Sequence, residues 1–352
     1  MKKSNWAIFV PIYNLEISDE IGGEFRIENV VFLSSKKIPK IRKRLTMPYK
    51  ISYYNKQFNP DKKFKNLFTQ SKVYAFVKSK RSKDDELSRE FTQISEAVYL
   101  LASSQFYRNK RDSRILFGGP EFSQIIFDEV LLFETTSEKA SWRHKRISPV
   151  NPYVLNKLWT KFIAHHFLPK IITILNGKKY VKLKWKIDLR KAALLAGQSY
   201  FSSNLYESFL YNMIALEILL LGGDGKTENI LVERLASLFG WITREKLDYW
   251  FEMINHLYQL RCDLVHKGKT RDITIHDVLE SDMLLANLLY NLCSLTHIIK
   301  GKEDLIKLSE KISARRTLGL RPIERPNKIQ FSPLSLSDRE IKELEKSNHW
   351  SW

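Results

Sequence analysis

Residues 257–269 read LYQLRCDLVHKGK, and the second half of the chain is understood by working outward from them. They close a run in which Leu247, Trp250, Phe251, Ile254, Leu257, Tyr258, Leu264 and Val265 recur every three or four residues. That is the period of a helix with one apolar face. The stripe passes through position 261, which is arginine. A cation in phase with core residues is costly unless it is paired or stands at a ligand or partner surface. His266 lies five residues on, about 140° round the helix and roughly 7.5 Å along it. One chain's Arg261 and His266 therefore do not converge on one atom. Two copies packed by these helix ends would bring two of each around one cleft. Gly268 is placed to end the helix in the left-handed conformation, and the carbonyl end of a helix favours a protonated imidazole. Spacing alone leaves two readings. Either Arg261 salt-bridges Glu217 or Asp263 and His266 caps the helix, or the pair is chemically active.

On either side of this stretch the period stays helical. Helices are expected near 200–221, 229–240, 243–266, 275–300 and 302–317, joined by short segments, which makes a compact bundle. NPYVLNKLWTKFIAHHFL (151–168) reads as one further helix. KKYVKLKWKIDLRKA (178–192) alternates Val181, Leu183, Trp185 and Ile187 with lysines, a period of two that suggests a short strand with a basic face. Beyond Arg316, Pro322, Pro326 and Pro333 mark an extended linker. A last helix is expected from Ser337, with Glu340 completing a capping box, before a tail bearing Trp350 and Trp352.

The first 140 residues are different. WAIFVPIYNLEI, EFRIENVVFL and KVYAFVKS are β-branched or aromatic runs separated by turn material such as Gly22-Gly23. From Lys83 the pattern turns helical, with Leu87, Phe91, Ile94, Val98 and Leu101 in phase, and SQIIFDEVLLFETT (123–136) returns to strand character. The fold class expected is α+β: a mixed, mainly β domain over 1–140, a connecting helix and short basic strand over 141–199, an all-α bundle over 200–317, and a Pro-containing linker, short helix and Trp-bearing tail over 318–352.

Charge points to a polyanionic partner. The 58 Lys and Arg against 39 Asp and Glu leave a net +19, which favours nucleic acid. Residues 36–80 hold fourteen Lys or Arg and one acid, Asp61, interleaved with rings such as Tyr49, Tyr53 and Phe58. Cations plus stacking rings suit a single-stranded nucleic-acid surface, with Lys43 and Arg44 as candidate RNA contacts; a solvated basic loop reads equally well. Two cysteines imply no disulfide framework, and no apolar run is long enough to span a bilayer, so a cytoplasmic protein without a membrane partner is expected.

Several motifs fail. GGDGKT (222–227) lacks the glycine a phosphate-binding loop needs at position 220, and a helix precedes it instead of a strand. His165 and His166 diverge by about 100° on a helix, and no cysteine pair has zinc spacing. No metal and no cofactor are expected. No helix-turn-helix with an exposed basic recognition helix stands out.

ALEILLLG (215–222), LVERLASLFGW (231–241) and LYQLRCDLVHKGK resemble successive helices of the HEPN superfamily, closest to its Apea-like branch. The resemblance rests on Ala215, Leu216 and Glu217, then Tyr258, Arg261, Val265, His266 and Gly268. It covers about residues 190–300. Cys262 follows the arginine where the superfamily usually has a polar residue, and Asp263 is placed to supply that role. The resemblance implies a homodimer formed through the motif helices. It further implies a metal-independent endoribonuclease that cuts RNA, tRNA among the candidates, by 2′-OH attack, serving in antiphage defence or as a toxin, with a phage-derived trigger as a possible partner. Arg261 and His266 are then the catalytic pair; Glu217, Tyr258 and Asp263 support them; Lys267 and Lys269 hold the RNA backbone. A non-catalytic nucleotide- or protein-binding dimer module stays open beside it.

Overall fold

The computed structural model describes residues 4–41, 44, 50, 71–81, 88–105, 129–134, 141–146, 152–177, 180–202, 204–222, 228–245, 247–268 and 272–333. The chain divides into two compact units, Met1–Val98 with Ile115–Phe162 and Tyr99–Arg114 with Ile163–Trp352. An antiparallel sheet near the N-terminus followed by a helical region is the α+β layout expected.

In the first unit, β1 (Ser4–Ile12), β3 (Glu24–Ile27), β4 (Val30–Ser34) and β5 (Val73–Arg81) form one antiparallel sheet in the order β1-β5-β4-β3. The expected Gly22-Gly23 turn is there, both glycines at positive φ (80° and 64°). β4 is buried along its whole length, which is why its sequence is a continuous apolar run instead of an alternation. Register pairs Val31 with Phe76 and Leu33 with Tyr74. These four close one core with Ile38 of α1 (Ile38–Ile41), Phe9 and Ile41 packing on it. On the other face Phe25 meets Trp159 edge-on, centroids 5.0 Å apart. β2 (Leu15–Ile17) pairs in parallel with β8 (Tyr153–Leu155), and β6 (Glu129–Glu134) forms an antiparallel pair with β7 (Ser141–Arg146).

α2 (Ser88–Ala102) buries Ile94, Val98 and Leu101 as its spacing predicts, but Phe91, in the same phase, is 39% exposed, and Leu87 lies outside the described residues. The second unit is a bundle of α4 (Phe167–Gly177), α5 (Leu183–Phe201), α6 (Leu205–Leu220), α7 (Glu228–Thr243), α8 (Leu247–Lys267), α9 (Ile275–Ser294) and α10 (Lys302–Thr317), preceded by the short α3 (Lys157–Ile163). α6 packs on α5, α7, α8, α9 and α10, so it is the axis of the bundle. α9 is buried on nearly all sides. Where it meets α6, the fully buried Asn212 Nδ2 donates to Ser281 Oγ (2.8 Å) and Asp282 Oδ1 (2.7 Å). No helix among the described residues is long and apolar enough to cross a membrane.

Two expectations are corrected. The basic strand over 178–192 is the start of helix α5: Trp185, Leu189, Ala192, Ala193 and Ala196 are buried at helical spacing. The alternation misleads because Leu183 and Ile187, placed on the strand's apolar face, are 73% and 43% exposed. The helix over 151–168 is instead β8, α3 and α4. Asn156 Oδ1 accepts from the Trp159 amide at 2.9 Å and caps α3, which stops the helix running back into Tyr153–Leu155. His166 breaks the chain again, its Nδ1 accepting from the Leu168 amide at 3.2 Å. Within the second unit, α4 packs against α9 and α5 against α6. The helix expected from 337 and the terminal tryptophans lie outside the described residues.

Candidate active site at the end of helix α8

α8 turns Trp250, Ile254, Leu257 and Tyr258 inward. Arg261 is in phase with them and reaches α6. Its Nη2 donates to Glu217 Oε2 at 3.0 Å. Nε lies 2.8 Å from Oε1, but its N–H is not aimed there and makes no hydrogen bond. The side chains are 20% and 17% exposed. One aimed hydrogen bond plus a close charge contact thus ties α8 to α6 in a largely buried setting, where attraction is stronger than in bulk water.

The carbonyl end of α6 collects other cations. Arg234 Nη1 donates to Leu220 O at 2.8 Å. Lys302 Nζ donates to Ile218 O at 2.5 Å and Leu221 O at 3.2 Å, and stands 3.0 Å from Asp188 Oδ2. A helix C-terminus carries partial negative charge, so cations settle there. The sequence reading missed Arg234 and Lys302, because nothing in their own segments marks what they face.

One turn beyond Arg261 the helix leaves the core. Val265, His266 and Lys267 are exposed, Val265 by 47%. Gly268 ends the helix at φ 63°, its amide donating to Leu264 O at 3.1 Å, the expected cap. Lys267 Nζ bonds Asp263 Oδ1 at 2.7 Å; that bond and its charge raise the ammonium pKa. Cys262 is a half-buried free thiol. Arg261 and His266 therefore sit on different faces of one helix, as spacing predicted, and do not meet within the chain. Tyr258 is buried beside the Arg261 turn.

A second histidine pair escaped the sequence reading. His256 Nε2 lies 3.0 Å from Asp277 Oδ1. Asp277 Oδ2 accepts from the Thr274 amide (2.7 Å) and hydroxyl (2.6 Å) in a capping box at the start of α9. The Thr-x-x-Asp spacing of 274–277 announces the cap, but not that a residue of α8 would join it. Among the described residues no group of three or more His, Cys, Asp or Glu is arranged to hold a metal ion.

Of the candidate RNA contacts, Lys43 and Lys269 lie outside the described residues, as does most of 36–80. Arg44 is exposed in the first unit and bonds Glu24, which Lys37 also reaches at 3.1 Å. Burial disfavours the Glu24 carboxylate, but hydrogen bonds from Arg44 and Lys37 outweigh it and hold its pKa below the usual glutamate value.

Compared with family models, curated proteins and solved structures, the chain finds no match in any of the three.

Proposed function

We propose that the helical bundle is a metal-independent endoribonuclease of HEPN type that acts as a homodimer on RNA. The observation that carries this reading is the placement of the motif. The Glu217 helix and the Arg261–His266 helix are neighbours, with Arg261 drawn to Glu217 and His266 projecting at the capped helix end. Cleavage forms an O2′–P bond and breaks P–O5′; one proton leaves O2′ and one arrives at O5′. His266 is assigned that proton traffic. Arg261 is assigned the phosphate charge. Glu217 positions Arg261 until an RNA phosphate competes for the guanidinium. Because the two residues face different ways, the complete site needs a second copy, and α8 is the element that would pair. Lys267 and Lys269 stand beside His266 in sequence, suited to the RNA backbone. A role in antiphage defence or as a toxin, triggered by a phage product in the cytoplasm, fits such an activity.

A specific observation favours the second reading, a non-catalytic dimer module that binds nucleotides or proteins. Arg261 is already neutralised by Glu217 within its own chain. Incubating purified protein with total RNA and tRNA in EDTA separates the two. A ribonuclease leaves fragments with 2′,3′-cyclic phosphate ends, and His266→Ala leaves RNA whole. Intact RNA with wild type, repeated in extract of infected cells, would reduce the bundle to a binding module.

A further inference from the structure

The start of α5 and the turn that leads into α10 lie against each other at one corner of the bundle. The Lys182 amide donates to Lys300 O at 2.9 Å, and its Nζ reaches Glu303 Oε2 at 3.1 Å. Tyr180 Oη lies 3.3 Å from Thr296 Oγ1. Gly301 permits the approach: a Cβ there would stand 2.8 Å from Lys182 Cδ. Four large apolar side chains stand out of this corner, Tyr180 50%, Leu183 73%, Ile187 43% and Ile298 45% exposed. Leu183 and Ile187 are one helical turn apart and share a face of α5. Single apolar residues on a surface need no explanation, but a group of four does.

The charge around them has one sign. Residues 180–187 and 296–303 hold five lysines and one acid, Glu303. Glu303 is taken by Lys182, and Lys302 turns inward to Asp188 and the carbonyl end of α6. That leaves Lys184 and Lys300 exposed, and Lys186 partly so, beside the apolar group. A second copy of the same corner is a poor occupant, because pairing would set lysine against lysine. A ligand pocket recesses its apolar residues; these project. Nucleic acid gains from the lysines and from one ring, Tyr180, but not from exposed leucine and isoleucine. Anionic lipid satisfies both features. Aliphatic and tyrosine side chains enter the interface, and lysines reach the phosphates on their long stems.

We propose that this corner, Tyr180, Leu183, Ile187 and Ile298 set among their lysines, docks the protein on the surface of an anionic bilayer. The contact is interfacial and needs no helix that crosses the membrane; the expectation of no membrane partner rested on spanning length alone. Apolar burial and lysine attraction are each weak at this size, so binding needs both. The proposal does not depend on the bundle cutting RNA.

The test sediments the full chain with phosphatidylcholine vesicles and with vesicles that also carry phosphatidylglycerol. Wild type should bind the anionic vesicles and not the neutral ones, and salt should weaken the binding. A double variant, Leu183→Ser with Ile187→Ser, should bind the anionic vesicles about tenfold more weakly or worse. Lys184→Gln with Lys300→Gln should lose binding as well. All four side chains are exposed, so circular dichroism should stay that of wild type. Leu318→Ser, just past the far end of α10 and 69% exposed before the change, should bind like wild type. No binding to anionic vesicles overturns the proposal, and so does equal binding to neutral ones. Binding that survives Leu183→Ser with Ile187→Ser is charge alone and overturns it too. Single-stranded RNA that only the lysine variant releases, with vesicles left unbound, gives the corner to nucleic acid instead.

Discussion

Arg261 of α8 is held by Glu217 of α6, Nη2 to Oε2 at 3.0 Å, with both side chains about four-fifths withdrawn from solvent. The arginine that the apolar stripe left unexplained is thus paired inside its own chain. Removing one partner strands the other's charge in a largely buried place. Arg261→Ala should lower unfolding free energy by about 1–3 kcal/mol. In a double-mutant cycle with Glu217→Ala, by urea denaturation, the coupling should be about 1 kcal/mol or more; additive losses would mean the pair contributes nothing.

Gly197 sets how closely α5 crosses the end of α2. A Cβ there would stand 2.0 Å from Tyr99 O, a backbone atom that no rotamer change can move. Gly197→Ala should cost about 3 kcal/mol or more, read as a lower urea midpoint or insoluble expression. A neutral alanine would contradict the packing.

Thr274 caps α9, the most buried helix of the bundle, and shares Asp277 with His256. Thr274→Ala should destabilise by about 1 kcal/mol, followed by thermal unfolding.

Glu280 of α9 gives a pH signature. Burial pushes its pKa above the ordinary glutamate value; His276 pulls it down, Asp277 adds to the rise and His256 opposes it. A carboxyl raised in the folded state contributes stability that is complete below its unfolded pKa and is lost as pH rises through the folded one. Glu280→Gln should therefore melt higher than wild type at pH 7, and the difference should vanish toward about pH 4. A difference that persists at low pH would assign the effect to something other than titration.

Much of this was legible in the chain. The β runs before residue 80, the helices from 228 on and the Gly268 cap follow from period and turn chemistry, which are local. The Arg261 problem was legible as a problem: its phase demanded a partner, and Glu217 was one of two named. What failed was non-local. The lysine alternation at 182–186 mimicked a strand because Leu183 and Ile187 are apolar yet exposed. Tyr153–Leu155 took strand form by pairing with Leu15–Ile17, more than a hundred residues away. The prolines after 316 announced an extended segment, but not that Asn287 and Asn291 would hold it.

Mixing two inactive chains asks directly whether the site is shared between copies. If RNA is cut in a site that takes Arg261 from one copy and His266 from the other, the Arg261→Ala and His266→Ala variants should each be inactive. Dissociated and reassociated together, they should regain roughly a quarter of wild-type cleavage in EDTA, since half the pairs are mixed and each rebuilds one of two symmetric sites. A mixture as inactive as its parts, beside an active wild type, would contradict a shared site.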